Sequence, residues 1–366
     1  MDYASLIPVN IITGFLGSGK TTLLQRMLAS PQLADSAVLI NEFGEVGLDH
    51  HLLQTLDEQT VLLQSGCVCC TIRGDLKTAV RDLFSRRERG EVPPFRRLLI
   101  ETTGLADPSP IIYTILAEPV IQNHFRLGNV VTTVDAVNCL RQFDQYPETV
   151  KQVAVADRLV VTKTDLADPE QTSALVDALR RINPAAPLVK SAEDAIEPND
   201  LLISDVYQAD EKMNEVRRWL AEESTRGVPA GADHGHGHAA SRNGVSRHAQ
   251  DIESFCLTFE GSLDWSAFGI WLTMLLNTHG ENVLRVKGLL NVQDLATPVV
   301  IHGVQHLIHP LVHLDSWPDD DRRSRVVFIV RGLSRERIEA SLAAFNRLGE
   351  SASRTIGEPP AAPATK

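Results

Sequence analysis

The chain has 366 residues and a formal net charge of −12, a length that predicts two or three domains. Its hydrophobic share of 43% and charged share of 22% are those of an ordinary globular protein, which excludes fibrous, collagenous and fully disordered classes. The acidic balance argues against nucleic acid or a membrane surface as partner, since both select a basic footprint. No apolar run reaches the about 18 residues that span a bilayer.

Residues 1–10 carry no basic stretch ahead of an apolar one, so no signal peptide is expected and the expected compartment is the cytoplasm. Short, β-branched apolar runs at 9–13, 37–40, 98–100, 130–134 and 159–162 predict strands. Amphipathic stretches such as 21–29, 75–87 and 170–182 predict the helices between them. That alternation predicts an α/β domain with a mostly parallel sheet covered on both faces, spanning 1–221. The alternation fades after about residue 205. Residues 222–250 are rich in Gly, Ala, Ser, Arg and His and predict a flexible linker, because they offer too little apolar surface to offset ordering. Strands at 254–260 and 326–330 and helices at 265–277 and 334–348 predict a smaller α+β domain over 251–348. Gly349 follows the last helical residue and predicts a helix stop, with a disordered Pro- and Ala-rich tail over 349–366.

Within the first domain, Gly14-Phe-Leu-Gly17-Ser18-Gly19-Lys20-Thr21, followed by Thr22, matches the Walker A pattern. It lies between a predicted strand and a predicted helix, the context a phosphate cradle requires. Its glycines let successive backbone N–H groups turn toward phosphate oxygens. Lys20 is expected to reach the terminal phosphates and the Thr21 hydroxyl to bind Mg2+. Residues 98–101 supply an apolar strand ending in Glu101, the place for the acid that holds Mg2+ or its water. Gly104 can then bring a backbone N–H to the terminal phosphate. The run Thr162-Lys163-Thr-Asp165 follows directly on the strand residues 159–161. The Asp165 carboxylate can accept two hydrogen bonds from guanine, which adenine cannot donate from that position, and a buried acceptor discriminates strongly. The competing reading of Asp165 is a helix cap.

Three of the five cysteines, Cys67, Cys69 and Cys70, lie within four positions. Clustered thiols in a cytosolic chain suggest metal or redox chemistry rather than a disulfide framework. Three thiolates leave one coordination position open, which suits exchange better than a closed structural zinc site. Inert packing and disulfide formation are the alternatives. His234, His236 and His238 fall in the predicted linker and could collect Zn2+ or Ni2+ weakly. His302, His306, His309 and His313 are expected to be scattered, packed or surface histidines, since Pro310 breaks any helical register among them.

The set as a whole resembles the CobW-like metal-chaperone GTPases. The resemblance rests on residues 7–20, Asn41-Glu42-Phe-Gly-Glu45-Val-Gly, Gly66-Cys67-Val-Cys69-Cys70, Glu101-Thr-Thr-Gly104, Ala106-Asp-Pro-Ser-Pro110, Thr133-Val-Asp135-Ala and Thr162-Lys-Thr-Asp165. In the second domain Arg285-Val-Lys287-Gly288 and His302-Gly-Val-Gln-His306 are similar to the family's C-terminal module. Thr162 departs from the familiar Asn-Lys-x-Asp. The resemblance implies a Mg2+-dependent P-loop GTPase that binds Zn2+, or a related divalent metal such as Co2+, and delivers it to a metal-dependent client protein. It implies that Cys67, Cys69 and Cys70 form the metal motif and that Glu42 and Glu45 lie in a nucleotide-sensing switch. A homodimer is left open. The alternatives are a non-catalytic metal buffer or sensor with nucleotide as a structural ligand, a cobalt chaperone for cobalamin synthesis, and a kinase-like P-loop enzyme, which leaves the cysteines unexplained.

Overall fold

Residues 7–14 carry apolar side chains at both odd and even positions, the pattern of a strand covered on both faces. In the computed structural model, which describes residues 5–40, 61–64, 72–191, 196–202, 213, 216, 217 and 251–356, they form β1 (Ile7–Gly14), buried over its last six positions. Six more strands pair with it in one parallel sheet: β2 (Ser36–Ile40), β3 (Val61–Gln64), β4 (Arg97–Glu101), β5 (Phe125–Asp135), β6 (Arg158–Thr162) and β7 (Leu188–Lys190). Their order is β3-β2-β4-β1-β5-β6-β7. The connecting helices are α1 (Lys20–Leu28), α2 (Ile72–Glu88), α3 (Ser109–Ala117), α4 (Cys139–Gln145), α5 (Pro147–Val155), α6 (Pro169–Ile182) and α7 (Pro198–Leu202).

Side-chain alternation divides the core between the two faces of the sheet. Ile11 packs with Leu98, Ile100 and the α2 and α3 residues Val80, Leu83, Ile111 and Ile115. Its neighbour Ile12 packs with Leu99, Val131, Val160 and the α1 residues Leu23, Leu24 and Met27. The carboxyl ends of the sheet neighbours β4, β1, β5 and β6 therefore lie side by side. In register, Ile12 faces Glu101, Gly14 faces Thr133 and Asp135 faces Thr162. Open parallel sheets bind ligands along that edge.

The second unit is an antiparallel sheet of β8 (Ile252–Phe259), β9 (Val283–Leu290), β10 (Val299–Val304), β11 (Leu307–Ile308), β12 (Val312–His313) and β13 (Ser324–Arg331). One face is covered by α8 (Trp265–His279) and α9 (Arg335–Ile356), with Phe268, Trp271, Leu272, Ile338 and Leu342 set on Val286, Val326 and Phe328. The other face lies on the first unit. Ile329 and Leu284 join Val153, Ala154 and Leu179 in one core cluster, and Leu289, Val300 and Val327 pack on Ala185. A register shift opposite Ile329/Val330 skips Leu284, so Leu284 and Arg285 both serve the interface.

At the centre of this interface is a buried charge cluster. Arg285 Nη2 donates to Asp157 Oδ1, and Lys287 Nζ lies 3.3 Å from the same oxygen, all three side chains being almost fully buried. The other carboxylate oxygen accepts from Val130 N–H at 3.0 Å. Burial by itself would raise the Asp157 carboxyl, but the Arg285 and Lys287 charges hold it well below the usual carboxylate range.

The α/β reading of the first unit and the α+β reading of the second hold. No strand is expected from the sequence at β9 or β10; both are buried at every position, so the polar side chains of Arg285, Lys287 and His302 lie inside rather than on a solvent face. Helix α9 runs past Gly349 to Ile356, so the expected stop and the first residues of the expected tail are helical. A mid-helix glycine costs only about 1 kcal/mol, which neighbours such as Glu350, Ala352 and Arg354 can outweigh. The expected linker 222–250 lies outside the described residues. Among the described residues no helix is long and apolar enough to cross a membrane.

Candidate nucleotide site

The phosphate cradle is assembled where β1 turns into α1. Gly14 has φ +140°, and a Cβ there would sit 2.4 Å from both Thr133 O and Thr133 Oγ1, so only glycine fits the close pass of β1 against β5. The residue capping α1 is Gly19, with φ 91°, which has no side chain to cap the first N–H groups of the helix. Those donors point out of the helix end toward anionic ligands. Lys20 is buried, and its ammonium donates to the carbonyls of Gly14 and Phe15, 3.1 Å from each, so it spans the loop it closes. Gly17 and Thr22 are exposed, and the space around Gly17 is open.

Side chains from the neighbouring strands brace the loop. Ser18 Oγ lies 2.7 Å from Thr133 Oγ1. Thr162 Oγ1 donates to Ser18 O at 2.8 Å, and Val134 O lies 3.2 Å away. The threonine that departs from the Asn-Lys-x-Asp pattern thus ties the base-reading segment to the phosphate loop through its hydroxyl.

Glu101, buried at the end of β4, accepts from Thr21 Oγ1 at 2.7 Å. Two hard oxygen donors so close, on the rim of a phosphate cradle, fit the ligand chemistry of Mg2+. Beyond Glu101, Thr102 Oγ1 donates to Thr13 Oγ1 at 2.8 Å, pinning β4 to β1. Gly104 touches the phosphate loop directly: a Cβ there would lie 2.5 Å from Leu16 N and 2.6 Å from Leu16 Cα. Asp107 follows, accepting from Ser109 N–H at 2.9 Å and from Lys151 Nζ at 3.0 Å. Burial would raise the Asp107 carboxyl, yet Ser109 and then Lys151 hold it below its ordinary value.

On the base side, Lys163 has φ 58° and its Nζ lies 2.7 Å from Asp135 Oδ2. Asp135 also accepts from Val137 N–H at 2.8 Å and Asn138 Nδ2 at 3.0 Å. Burial opposes ionisation, but Lys163 and Asn138 keep this carboxyl below its ordinary value. Asp165 stands exposed in the loop before α6, not buried as the discrimination argument assumed. It projects beyond the strand end, so a bound base must supply the desolvation. The helix-cap reading fails, because the residue capping α6 is Asp168.

The structure thus brings Gly14, Ser18, Gly19, Lys20, Thr21, Glu101 and Gly104 together and sets Lys163 and Asp165 in the loop that follows the adjoining strand β6. Asp135 was read only as part of a motif, Thr133-Val-Asp135-Ala, with no role given to it, although an acid at a strand end was a signal as at Glu101. Gln152 escaped the sequence reading, being one polar residue in a short helix. Cys67, Cys69, Cys70, Glu42, Glu45 and the 234–238 histidines lie outside the described residues. Gln64 at the carboxyl end of β3 and Ile72 opening α2 bracket the cysteines. Among the described residues no group of three or more His, Cys, Asp or Glu side chains could hold a metal. His302 and His309 are buried with ring centroids 6.0 Å apart, His306 Nδ1 lies 2.8 Å from Leu276 O, and His313 is exposed, as expected of packed and surface histidines.

Comparison with known proteins agrees with this geometry. The family model described as "CobW/HypB/UreG, nucleotide-binding domain" matches residues 8–190, and "Cobalamin synthesis protein cobW C-terminal domain" matches 252–346. The chain is 32% identical to zinc chaperone YjiA of Escherichia coli over 93% of this chain and 99% of that protein. It is 26% identical to zinc-regulated GTPase metalloprotein activator 1 of Schizosaccharomyces pombe, over 90% of this chain and 83% of that one. A crystal structure of Zn(II)-bound YjiA GTPase from E. coli superposes with a TM-score of 0.68 at 29% identity, covering 93% of this chain and 99% of that chain.

Proposed function

Because this chain belongs to the CobW family of nucleotide-binding proteins, with both the nucleotide-binding and the C-terminal domain, we propose that it is a GTP-hydrolysing zinc chaperone that loads a metal-dependent client protein. The observation that carries the nucleotide chemistry is the convergence of Lys20, Thr21, Glu101 and Gly104 on one loop at the carboxyl edge of the sheet. Lys20 exchanges its carbonyl partners for phosphate oxygens, a stronger charge-assisted contact. Thr21 and Glu101 hold Mg2+, which neutralises phosphate charge when bound. The Gly104 N–H donates to the terminal phosphate. Lys163 packs along the base, and Asp165 accepts from the guanine N–H groups.

Zinc is the cargo. Its supports are the names of the relatives, "zinc chaperone" and "zinc-regulated GTPase metalloprotein activator", and the soft thiolates of Cys67, Cys69 and Cys70. We assign the tight metal to these cysteines and a weaker reservoir to His234, His236 and His238. Co2+ suits the same donors and competes for them. Free thiolates of this kind persist in a reducing compartment, which supports the cytoplasm. Glu42 and Glu45 couple nucleotide to metal.

The experiment is a zinc competition titration on GTP- and GDP-loaded protein, with hydrolysis measured in parallel. Zinc tightens GTP binding by the same factor that GTP tightens zinc binding. Replacing all three cysteines removes the tight zinc and its effect on hydrolysis, and Lys20→Ala abolishes hydrolysis. Equal zinc affinity in the two nucleotide forms rules out nucleotide-gated delivery, and wild-type turnover in Lys20→Ala rules out the phosphate site.

A further inference from the structure

The amide side chain of Gln152 is 1% exposed, on α5, outside every sequence motif of the nucleotide site. Its Nε2 donates to Gly104 O at 3.1 Å and to Ala106 O at 3.0 Å. Both partners are carbonyls and can only accept, so both amide hydrogens are committed to the turn that follows Glu101. Among the described residues Gln152 Oε1 has no hydrogen-bond partner. A buried acceptor left this way is costly, and the two contacts the Nε2 makes offset that cost. A glutamate of the same shape would aim lone pairs at both carbonyls.

The helix that carries Gln152 is itself tied down from three sides. Thr132 Oγ1 of β5 donates to Gln152 O at 2.8 Å. Asn183 Nδ2, after α6, donates to the carbonyls of Val153 and Ala156 at 2.8 and 2.9 Å. Arg285 of the second domain donates to Val155 O. The last carbonyls of a helix have no partner within it, and here side chains supply the partners. One residue earlier, Lys151 holds Asp107. Two adjacent residues of a fixed helix thus grip both ends of the segment 104–107, whose Gly104 is pressed on Leu16 of the phosphate loop.

We propose that Gln152 is a positioning residue for GTP hydrolysis: by holding the Gly104 and Ala106 carbonyls it sets the Gly104 N–H at the terminal phosphate. The proposal rests on reading the chain as a GTPase. Donors preset toward developing charge are the main source of rate in phosphoryl transfer, and a displacement of about 1 Å costs about 100-fold. GDP lacks the terminal phosphate, so its binding does not use this grip.

The test uses the full chain with Mg2+, measuring kcat and KM for GTP and Kd for GDP in Gln152→Glu and Gln152→Met. The first keeps the shape but leaves at most the single donor of a protonated carboxyl for the two carbonyls, and the second keeps most of the volume without polarity. The expected result is a kcat about 10- to 100-fold lower, with KM and the GDP Kd within about threefold of wild type. Wild-type kcat in either variant overturns the proposal. So does a parallel loss of kcat and GDP affinity in both, which marks a merely structural residue; if only Gln152→Glu loses GDP, Gln152→Met decides. A wild-type protein that fails to hydrolyse GTP strikes the GTPase reading instead, whereas normal wild-type turnover with unaffected variants strikes Gln152 alone.

Discussion

Arg285→Met tests the joint between the two domains. Methionine keeps most of the aliphatic volume of arginine and removes the guanidinium. Asp157 then retains Lys287 at 3.3 Å and Val130 N–H at 3.0 Å, while Val155 O loses its side-chain donor. The lost charge-assisted hydrogen bond contributes about 1.5–3 kcal/mol, and a stranded buried carbonyl costs about 1–3 kcal/mol. The sum, about 2.5–6 kcal/mol, brackets the about 3–5 kcal/mol usual for breaking a buried ion pair by removing one partner. Urea denaturation suits the measurement because urea is uncharged and leaves the ion pair unscreened. Far-UV circular dichroism reports both domains, and fluorescence is weighted to the second, which holds Trp265, Trp271 and Trp317 of the four tryptophans. The pH dependence follows from the direction of the Asp157 shift. A carboxyl whose folded value is depressed contributes stability that is present above its unfolded value, about 3.9, and lost as pH falls toward the folded value. The gap between wild type and variant is therefore flat from about pH 8 to 5 and narrows only in stronger acid. A loss under about 1 kcal/mol refutes the joint, as does a coupling energy near zero in a double-mutant cycle with Asp157→Asn.

Thr162→Val keeps the side-chain shape and removes the hydroxyl that donates to Ser18 O at 2.8 Å. It lowers stability by about 1–3 kcal/mol and weakens GTP binding by titration calorimetry, and unchanged affinity would show that the phosphate loop does not need the brace. Gly104→Ala places a Cβ 2.5 Å from backbone Leu16 N, an atom that cannot swing aside. Steady-state hydrolysis falls about 100-fold, and a rate near wild type would mean Gly104 does not act at the phosphate. Asp165→Asn turns one acceptor into a donor and erases the preference for GTP over ATP in a competition assay.

The phosphate cradle, the acid at Glu101 and the Lys163–Asp165 segment were legible from residue order, because each is local. Glycines, a lysine and a hydroxyl must be contiguous for one loop to wrap a phosphate, and a catalytic acid at a strand end is readable once the strand is. The βα alternation was legible for the same reason: period and turn chemistry act over a few residues. The sheet order, which makes β4, β1, β5 and β6 neighbours and so unites Glu101, Gly14, Thr133 and Thr162, is a tertiary outcome. So is the role of Thr162, a poor match to its motif until its hydroxyl is seen against Ser18 O. Asp157 and Arg285 are 128 positions apart, and nothing in the residues around either one names the other as its partner. Only docking of the two sheets buries them together, because desolvation makes an ion pair out of charges that water would otherwise keep apart. Gln152 is the same case with a neutral group. Nothing in its neighbours along the chain marks it, and its function exists only where α5 passes the turn at Gly104.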